Sequence, residues 1–405
     1  MPPIQLFSGK QNNMKFSVLL PTRNRLDLLA MAIQSVRSQS YDNWEIIVSD
    51  NCSEEDVAGQ IKSLRDSRIK YFRTTQFIPV TDNWNNALDK SVGDYIIMLG
   101  DDDCLMQGYF FTLCKLIEKY NAPDFIYTDA FLYAYPGVIP GIKEGQLRKY
   151  SNRKIFQSAH KPFWLERTQA IEFAKDSMNF KVTFDYNMQF SLVSRKLIEK
   201  MKRYGQFYQS PYPDYYASNA MMLKADRILI VPYSLVTIGI SSKSFGFFYF
   251  NDAESEGNEF LNNLPDMGMV KRLQNVILPG TAMNTSWLLS METLAVNFSN
   301  EFEINVNYAR YRIIQICAIY AGLILDKKGA QETYLQLQEK MSRSEKLRLG
   351  LWFSTLYKIV PGRYRVSLAH RIQEAGGSHP KIDMPSVAGE FNTILDVFNK
   401  IDPLQ

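Results

Sequence analysis

Short apolar runs alternate with amphipathic stretches along the N-terminal part of the chain. FSVLL is followed by LDLLAMAIQSVRSQ, WEIIVS by VAGQIKSL, and RIKYF by NWNNALDKS, before DYIIML. The apolar runs read as strands and the intervening i, i+3, i+4 spacing as helices. This alternation predicts a β-α-β-α sheet with mainly parallel strands. Such sheets bind ligands at the carboxyl ends of their strands, where strand-to-helix loops gather and helix N-termini point inward. The residues that follow each strand therefore matter most. They are Pro21-Thr22-Arg23-Asn24 after the first, Asp50-Asn51-Cys52-Ser53 after the second, and Gly100-Asp101-Asp102-Asp103 after the fourth.

Residues 130 to 165 are rich in Tyr, Gly, Pro and Lys without a clear period, which predicts a long excursion. A helix over Arg167 to Lys175, a strand near Met188 to Val193, a helix from Arg195 and a helix after Pro213-Asp214 complete a first region to about Val236. Beyond Glu254 helical patterns dominate. The expected organisation is an α/β ligand-binding domain over 1–250 and a mainly helical region over 251–405, serving oligomerisation, substrate contact or membrane-surface association.

Length and composition narrow the classes. At 405 residues, with 46% hydrophobic and 22% charged, the chain has the composition of ordinary globular domains. A net charge of +4 is too weak to imply nucleic acid as a partner. Cys52, Cys104, Cys114 and Cys317 lack metal-ligand spacing and suit a reducing, cytoplasmic setting. Residues 1–16 lack the apolar core of a secretion signal, and the longest apolar run, Ile313 to Leu325, is broken by Gln315.

Three successive carboxylates, Asp101, Asp102 and Asp103, repel one another unless a cation or hydrogen-bond donors neutralise them. Magnesium or manganese suits such hard oxygen ligands, with coordination positions left for phosphate. A solvated acidic turn at a helix start is the plainer alternative. Asp50 closes the second strand and is either a ligand for a pyrimidine or ribose or an N-cap for the following helix.

In combination, PTRNR at 21–25, VSDNCSEED at 48–56 and GDYIIMLGDDD at 93–103 resemble the family 2 glycosyltransferases of GT-A fold, over roughly residues 14 to 245. The resemblance implies a nucleotide-sugar donor, UDP-sugar by family habit, and a metal bridging its diphosphate. Thr22 and Asp50 would border the nucleoside, with Pro21, Arg23 and Asn24 beside them. Asp101 would meet the ribose, Asp102 the metal, and Asp103 would join Asp102 in the metal cluster. Gly100 stands where many members have Asp, so the assignment among the three carboxylates is open by one position. Arg23 stands where an aromatic residue is common, and its planar guanidinium can stack on a base.

A hydroxyl acceptor must lose a proton, which calls for a carboxylate on the far side of the donor sugar. Asp214, made rigid by Pro213 at a helix start, matches the family's base, with Asp185 and Glu166 in reserve; a plain N-cap is the alternative. A base on the far face implies inversion at the anomeric carbon. Asn85, in the polar helix with Trp84 and Asn86, and Lys243, in the loop GISSKSFG, are further candidates for donor contact. His160, Phe163 and Trp164 are candidates for the acceptor site. Between Ser342 and Arg371, Arg343, Lys346, Arg348, Lys358, Arg363, Arg365 and Arg371 are interleaved with Trp352, Phe353, Tyr357 and Tyr364. That pattern suits either an anionic membrane surface or a packed helix with a basic face.

The expectation is thus a metal-dependent inverting glycosyltransferase that acts on a glycan or lipid-linked acceptor in surface polysaccharide synthesis, cytoplasmic or peripheral to the membrane. A homo-oligomer is compatible. The rivals are a sugar-1-phosphate nucleotidyltransferase, disfavoured because PTRNRLDLL lacks a glycine-rich phosphate loop, and a non-catalytic glycan-binding scaffold.

Overall fold

The computed structural model describes residues 14–139, 141–149, 154–244, 247, 248, 256, 257, 259, 262, 266–325, 329–376 and 386–404. Most of the N-terminal stretch read for a leader, Phe245 and Gly246 of the loop after Lys243, and the 250/251 boundary lie outside the described residues.

The N-terminal alternation folds as expected: β1 (Phe16–Thr22), α1 (Leu26–Arg37), β2 (Trp44–Asp50), α2 (Val57–Ser63), β3 (Ile69–Arg73), α3 (Val80–Asp89) and β4 (Tyr95–Met98). β1, β2 and β4 are covered on both faces, which is why their sequences run apolar without alternation. Helix signals agree with position. Asp27 opens α1 and Arg37 closes it, complementing the helix dipole. The Asp56 side chain caps α2 by accepting from the Gly59 amide.

β5 (Cys104–Leu105), α4 (Tyr109–Lys119), β6 (Phe125–Ala134), β7 (Gln146–Lys149), β8 (Phe163–Leu165), α5 (Arg167–Met178), β9 (Ser191–Ser194), α6 (Arg195–Met201), α7 (Pro213–Lys224) and β10 (Ile228–Ile240) complete the sheet region. The strand order is β3-β2-β1-β4-β9-β6-β10-β5, with β7 on β6 and β8 on β10. β1 to β4 pair in parallel, whereas β9 runs antiparallel between β4 and β6, giving a mixed sheet of GT-A type. The excursion predicted over 130–165 contains strands: β6 runs to Ala134, β7 pairs antiparallel with it, and β8 pairs with β10.

Because β1 pairs with β2 on one side and β4 on the other, the chain direction switches there. A crevice opens at the carboxyl ends of these strands. Core side chains pack on both faces of the sheet, Leu29, Ile33 and Phe110 among those on one, and Leu88, Phe173 and Tyr216 among those on the other.

The remaining described elements are mainly helical: α8 (Met267–Arg272), α9 (Ala282–Phe298), α10 (Tyr308–Ile324), α11 (Ala330–Lys340), α12 (Leu351–Ile359), α13 (Arg365–Gly376) and α14 (Ile394–Lys400). Trp287 and Leu288 of α9 and Tyr311 of α10 share the core with α7. Gln315 interrupts the longest apolar run because it is buried between helices, accepting from Asn284 at 3.0 Å. No helix among the described residues is long and apolar enough to cross a membrane. α14 returns to the sheet edge, where Ile394 and Phe398 pack with Met106 and Phe131.

Candidate active site

A cavity of about 360 Å³ opens at the switch point. Its floor is the acidic turn after β4. Asp103 folds back into that turn: one carboxylate oxygen accepts from the Gly239 amide at 2.8 Å, and the other from the Gly100 amide at 2.8 Å and Gln189 Nε2 at 2.7 Å. Burial, reinforced by Asp102, pushes its pKa up to about 8, although these donors pull the other way. A Cβ on Gly100 would stand 2.5 Å from Asp103 Oδ2, so glycine is what allows this fold-back. A Cβ on Gly239 would meet the Asp102 carbonyl at 1.9 Å, a second close approach only glycine permits.

Asp102 is held differently. Its Oδ2 accepts from Ser241 Oγ at 2.8 Å, while Oδ1 lies 3.9 Å from the Arg25 guanidinium and accepts from no other side chain among the described residues. Burial raises its pKa against the lowering effect of Arg25. Asp101 is fully engaged, accepting from Thr22 Oγ1 and from Arg25 Nη1, each at 2.7 Å. Burial alone would lower the Arg25 pKa, but Asp101, Asp102 and Asp103 outweigh it and raise it.

The wall above β1 is Pro21, Thr22 and Arg23, whose guanidinium lies 3.7 Å from the centre of the Phe77 ring. Asn51 fixes that ring by exchanging hydrogen bonds with Ile78, donating at 2.8 Å and accepting at 2.9 Å. The opposite wall comes from α7. Pro213 takes its first turn, and Asp214 lines the cavity with Tyr212 and Tyr215. One Asp214 oxygen accepts from the Tyr215 amide at 3.0 Å, and no side chain among the described residues donates to the carboxylate. Burial lifts the Asp214 pKa to about 7, opposed by that amide and by the amide of Asp214 itself. Met283 of α9 reaches the same cavity.

Residues 17–202 match the model for Glycosyl transferase family 2. Over 239 residues the chain is 30% identical to the GalNAc(5)-diNAcBac-PP-undecaprenol beta-1,3-glucosyltransferase of Campylobacter jejuni, covering 57% of this chain and 70% of that protein. The chain belongs to glycosyltransferase family 2. This glycosyltransferase is also 30% identical over 146 residues to the Escherichia coli UDP-Glc:alpha-D-GlcNAc-diphosphoundecaprenol beta-1,3-glucosyltransferase WfaP, across 34% of this chain and 56% of WfaP. Among solved structures, S. aureus TarS 1-349 in complex with UDP-GlcNAc aligns with a TM-score of 0.45 at 13% identity over 90% of each chain. Membership of the family sets aside the nucleotidyltransferase and scaffold alternatives.

The fold of this glycosyltransferase gathers Pro21, Thr22, Arg23, Asp101, Asp102, Asp103 and Asp214 around one cavity, with Trp84 at its edge. Others expected there are elsewhere. Asp50 turns into its own loop, accepting from the Ser53 amide at 2.9 Å and Tyr71 OH at 2.6 Å, and its neighbour Asn51 faces the cavity instead. Asn85 is spent on tying α3 to the loop before α7, donating to the Tyr208 carbonyl at 2.9 Å and accepting from its amide at 3.1 Å; Asn83 lines the cavity in its place. Asn24 accepts from the Glu54 amide at 2.8 Å, and its carbonyl takes a bond from the exposed Lys243 ammonium. Asp103, expected to join Asp102 as a metal ligand, has both oxygens committed to the protein.

Of the reserve bases, Glu166 is an exposed residue at the N-cap of α5, and Asp185 is not among the cavity-lining residues. His160 is exposed, while Trp164 packs on Tyr120 and pairs in β8 with Leu229, toward the opposite end of β10 from Gly239. Arg25, Asn51 and Gln189 were not singled out from sequence. Arg25 stands within PTRNR, but nothing in the motif says which arginine turns toward the acids.

Proposed function

We propose that this enzyme is an inverting glycosyltransferase that uses a divalent cation to move a sugar from a UDP-sugar onto a hydroxyl of a lipid-linked acceptor in surface polysaccharide synthesis. The observation that carries the reading is a pairing across one cavity. Asp102 offers an open carboxylate oxygen on the β4 side, and Asp214 offers another from α7, with its pKa lifted to about 7.

The donor set suits magnesium or manganese bound together with the substrate. No group of three or more His, Cys, Asp or Glu residues among the described residues forms a complete cage. Magnesium in particular is commonly held by one or two carboxylates with waters and substrate phosphates, so Asp102 fits as the protein ligand. When bound, the cation would neutralise charge developing on the leaving nucleoside diphosphate.

The chain's own residues supply the rest. Arg23 on Phe77 offers a flat cationic face to a nucleobase. Asp103 holds the acidic turn against β10, so that Asp102 keeps its direction. Asp214, accepting through its open oxygen, takes the proton of the acceptor hydroxyl as that oxygen attacks from the side away from the diphosphate. Displacement from that side inverts the anomeric centre.

The lipid-linked acceptor is supported by the names of the Campylobacter jejuni and Escherichia coli relatives, both of which include an undecaprenol diphosphate. A membrane partner is supported by a surface where Leu347, Leu351, Trp352 and Ile359 are exposed among Arg343, Lys346 and Arg348. The test is turnover of UDP-sugars with manganese and an undecaprenyl-diphosphate saccharide, followed by NMR of the product. Inversion is expected, and retention of configuration would refute the assigned role of Asp214.

A further inference from the structure

Arg25 occupies the place where the acidic cluster most needs a positive charge. Its Nη1 is 2.7 Å from Asp101 Oδ1 and 3.9 Å from Asp102 Oδ1, and all three side chains are nearly shielded from solvent. Its other terminal nitrogen donates to the Lys243 carbonyl, while the Lys243 ammonium donates back to the Asn24 carbonyl. The segment after β10 is therefore stitched to the loop after β1 through the same guanidinium that neutralises the acids. Ser241 on Asp102 and the Gly239 amide on Asp103 complete that seam.

The open oxygen of Asp102 is the one on which the proposed cation site depends, and it faces this arginine. A divalent ion arriving alone would meet a fixed positive charge within a few ångströms in a site of low dielectric, where such repulsion is poorly screened. It would also find part of the attracting negative charge already cancelled. A diphosphate changes both terms, because its anionic oxygens stand between the two cations and attract each.

We propose that Arg25 is a resident counter-ion that holds the acidic cluster until the donor arrives, excludes a lone divalent cation, and makes metal binding conditional on the diphosphate. This rests on the metal-dependent reading of the site. Arg25 acts as a positioning and selectivity residue, distinct from the metal ligand and the base.

The test is direct Mn²⁺ binding to the full chain, followed by electron paramagnetic resonance of free Mn²⁺, with and without UDP. Wild-type protein should bind Mn²⁺ at least about tenfold more tightly when UDP is present. Arg25→Gln should bind Mn²⁺ alone at least about tenfold more tightly than wild type and gain less from UDP. Arg25→Lys keeps the charge and should behave as wild type. Melting curves establish folding, and Arg25→Met serves in place of Arg25→Gln if the latter does not fold. Wild-type binding with UDP but no gain for the neutral variants overturns the role of Arg25 alone. Absence of Mn²⁺ binding to wild type even with UDP overturns the metal reading and this inference with it.

Discussion

Asp214 lies in the first turn of α7, where the helix dipole favours its anion, yet burial wins and lifts its pKa to about 7. A base so tuned is ionised only above that value. The rate constant kcat/KM should therefore fall about tenfold per pH unit below pH 7 and level off above it, in a pH-rate profile measured at saturating manganese. A flat profile down to pH 5 contradicts the assignment. Asp214→Asn should cost about 10² to 10⁴ in turnover while leaving donor affinity in place. At this scale the sequence was legible where the strand ends put residues into loops facing the crevice, as at Thr22 and Asp101 to Asp103. It was not legible where neighbours on one loop or helix point different ways. Asp50 and Asn51, or Asn83 and Asn85, differ by a rotation that only the hydrogen-bond partners fix.

Among the elements, β2 carries a buried charge that the apolar pattern hides. Glu45 accepts from Ser17 and the Val92 amide at 2.7 Å each and pairs with Lys70 at 2.7 Å and Lys15 at 3.0 Å. Burial alone would raise its pKa, but Lys70, the Val92 amide, Ser17 and Lys15 bring it down to about 2 from 4.5. A depressed folded-state pKa contributes stability above the unfolded value, lost as pH falls from 4.5 towards 2. Glu45→Gln should thus lower unfolding stability at pH 7 by about 2 kcal/mol and show a weaker pH dependence over that window in denaturant titrations. Equal acid sensitivity of variant and wild type would contradict this. Of the four parallel strands, β1, β2 and β4 were readable because burial on both faces leaves largely apolar runs, and the edge strand β3 through its short apolar-aromatic stretch. β6 and β10 were not. Asp129 and Thr128 interrupt β6, and Pro232 falls in the register shift between Val231 and Ser234 of β10, where a proline normally argues against a strand.

For the molecule as a whole, net charge says little and its placement says more. A chain of only +4 gathers Arg343, Lys346, Arg348 and Arg363 near exposed apolar side chains, and the acid among them, Glu345, is neutralised by Arg312 at 2.6 Å. Co-sedimentation with phosphatidylglycerol vesicles should fall about tenfold or more in the triple variant R343E/K346E/R348E. Unchanged binding would leave this face to protein packing or solvent. The helices bearing it join the sheet through α10, α9 and α7, the helix that carries Asp214, so the proposed membrane face and the proposed base are linked through packed helices. The proposed enzyme depends above all on Asp102 joining a divalent cation to the donor diphosphate. Calorimetric titration of UDP into wild type and Asp102→Asn, each with manganese and with EDTA, tests it most directly. EDTA should weaken UDP binding to wild type at least about tenfold, and Asp102→Asn should lose this dependence; equal UDP affinity for wild type in manganese and in EDTA would rule out a metal bridge at Asp102.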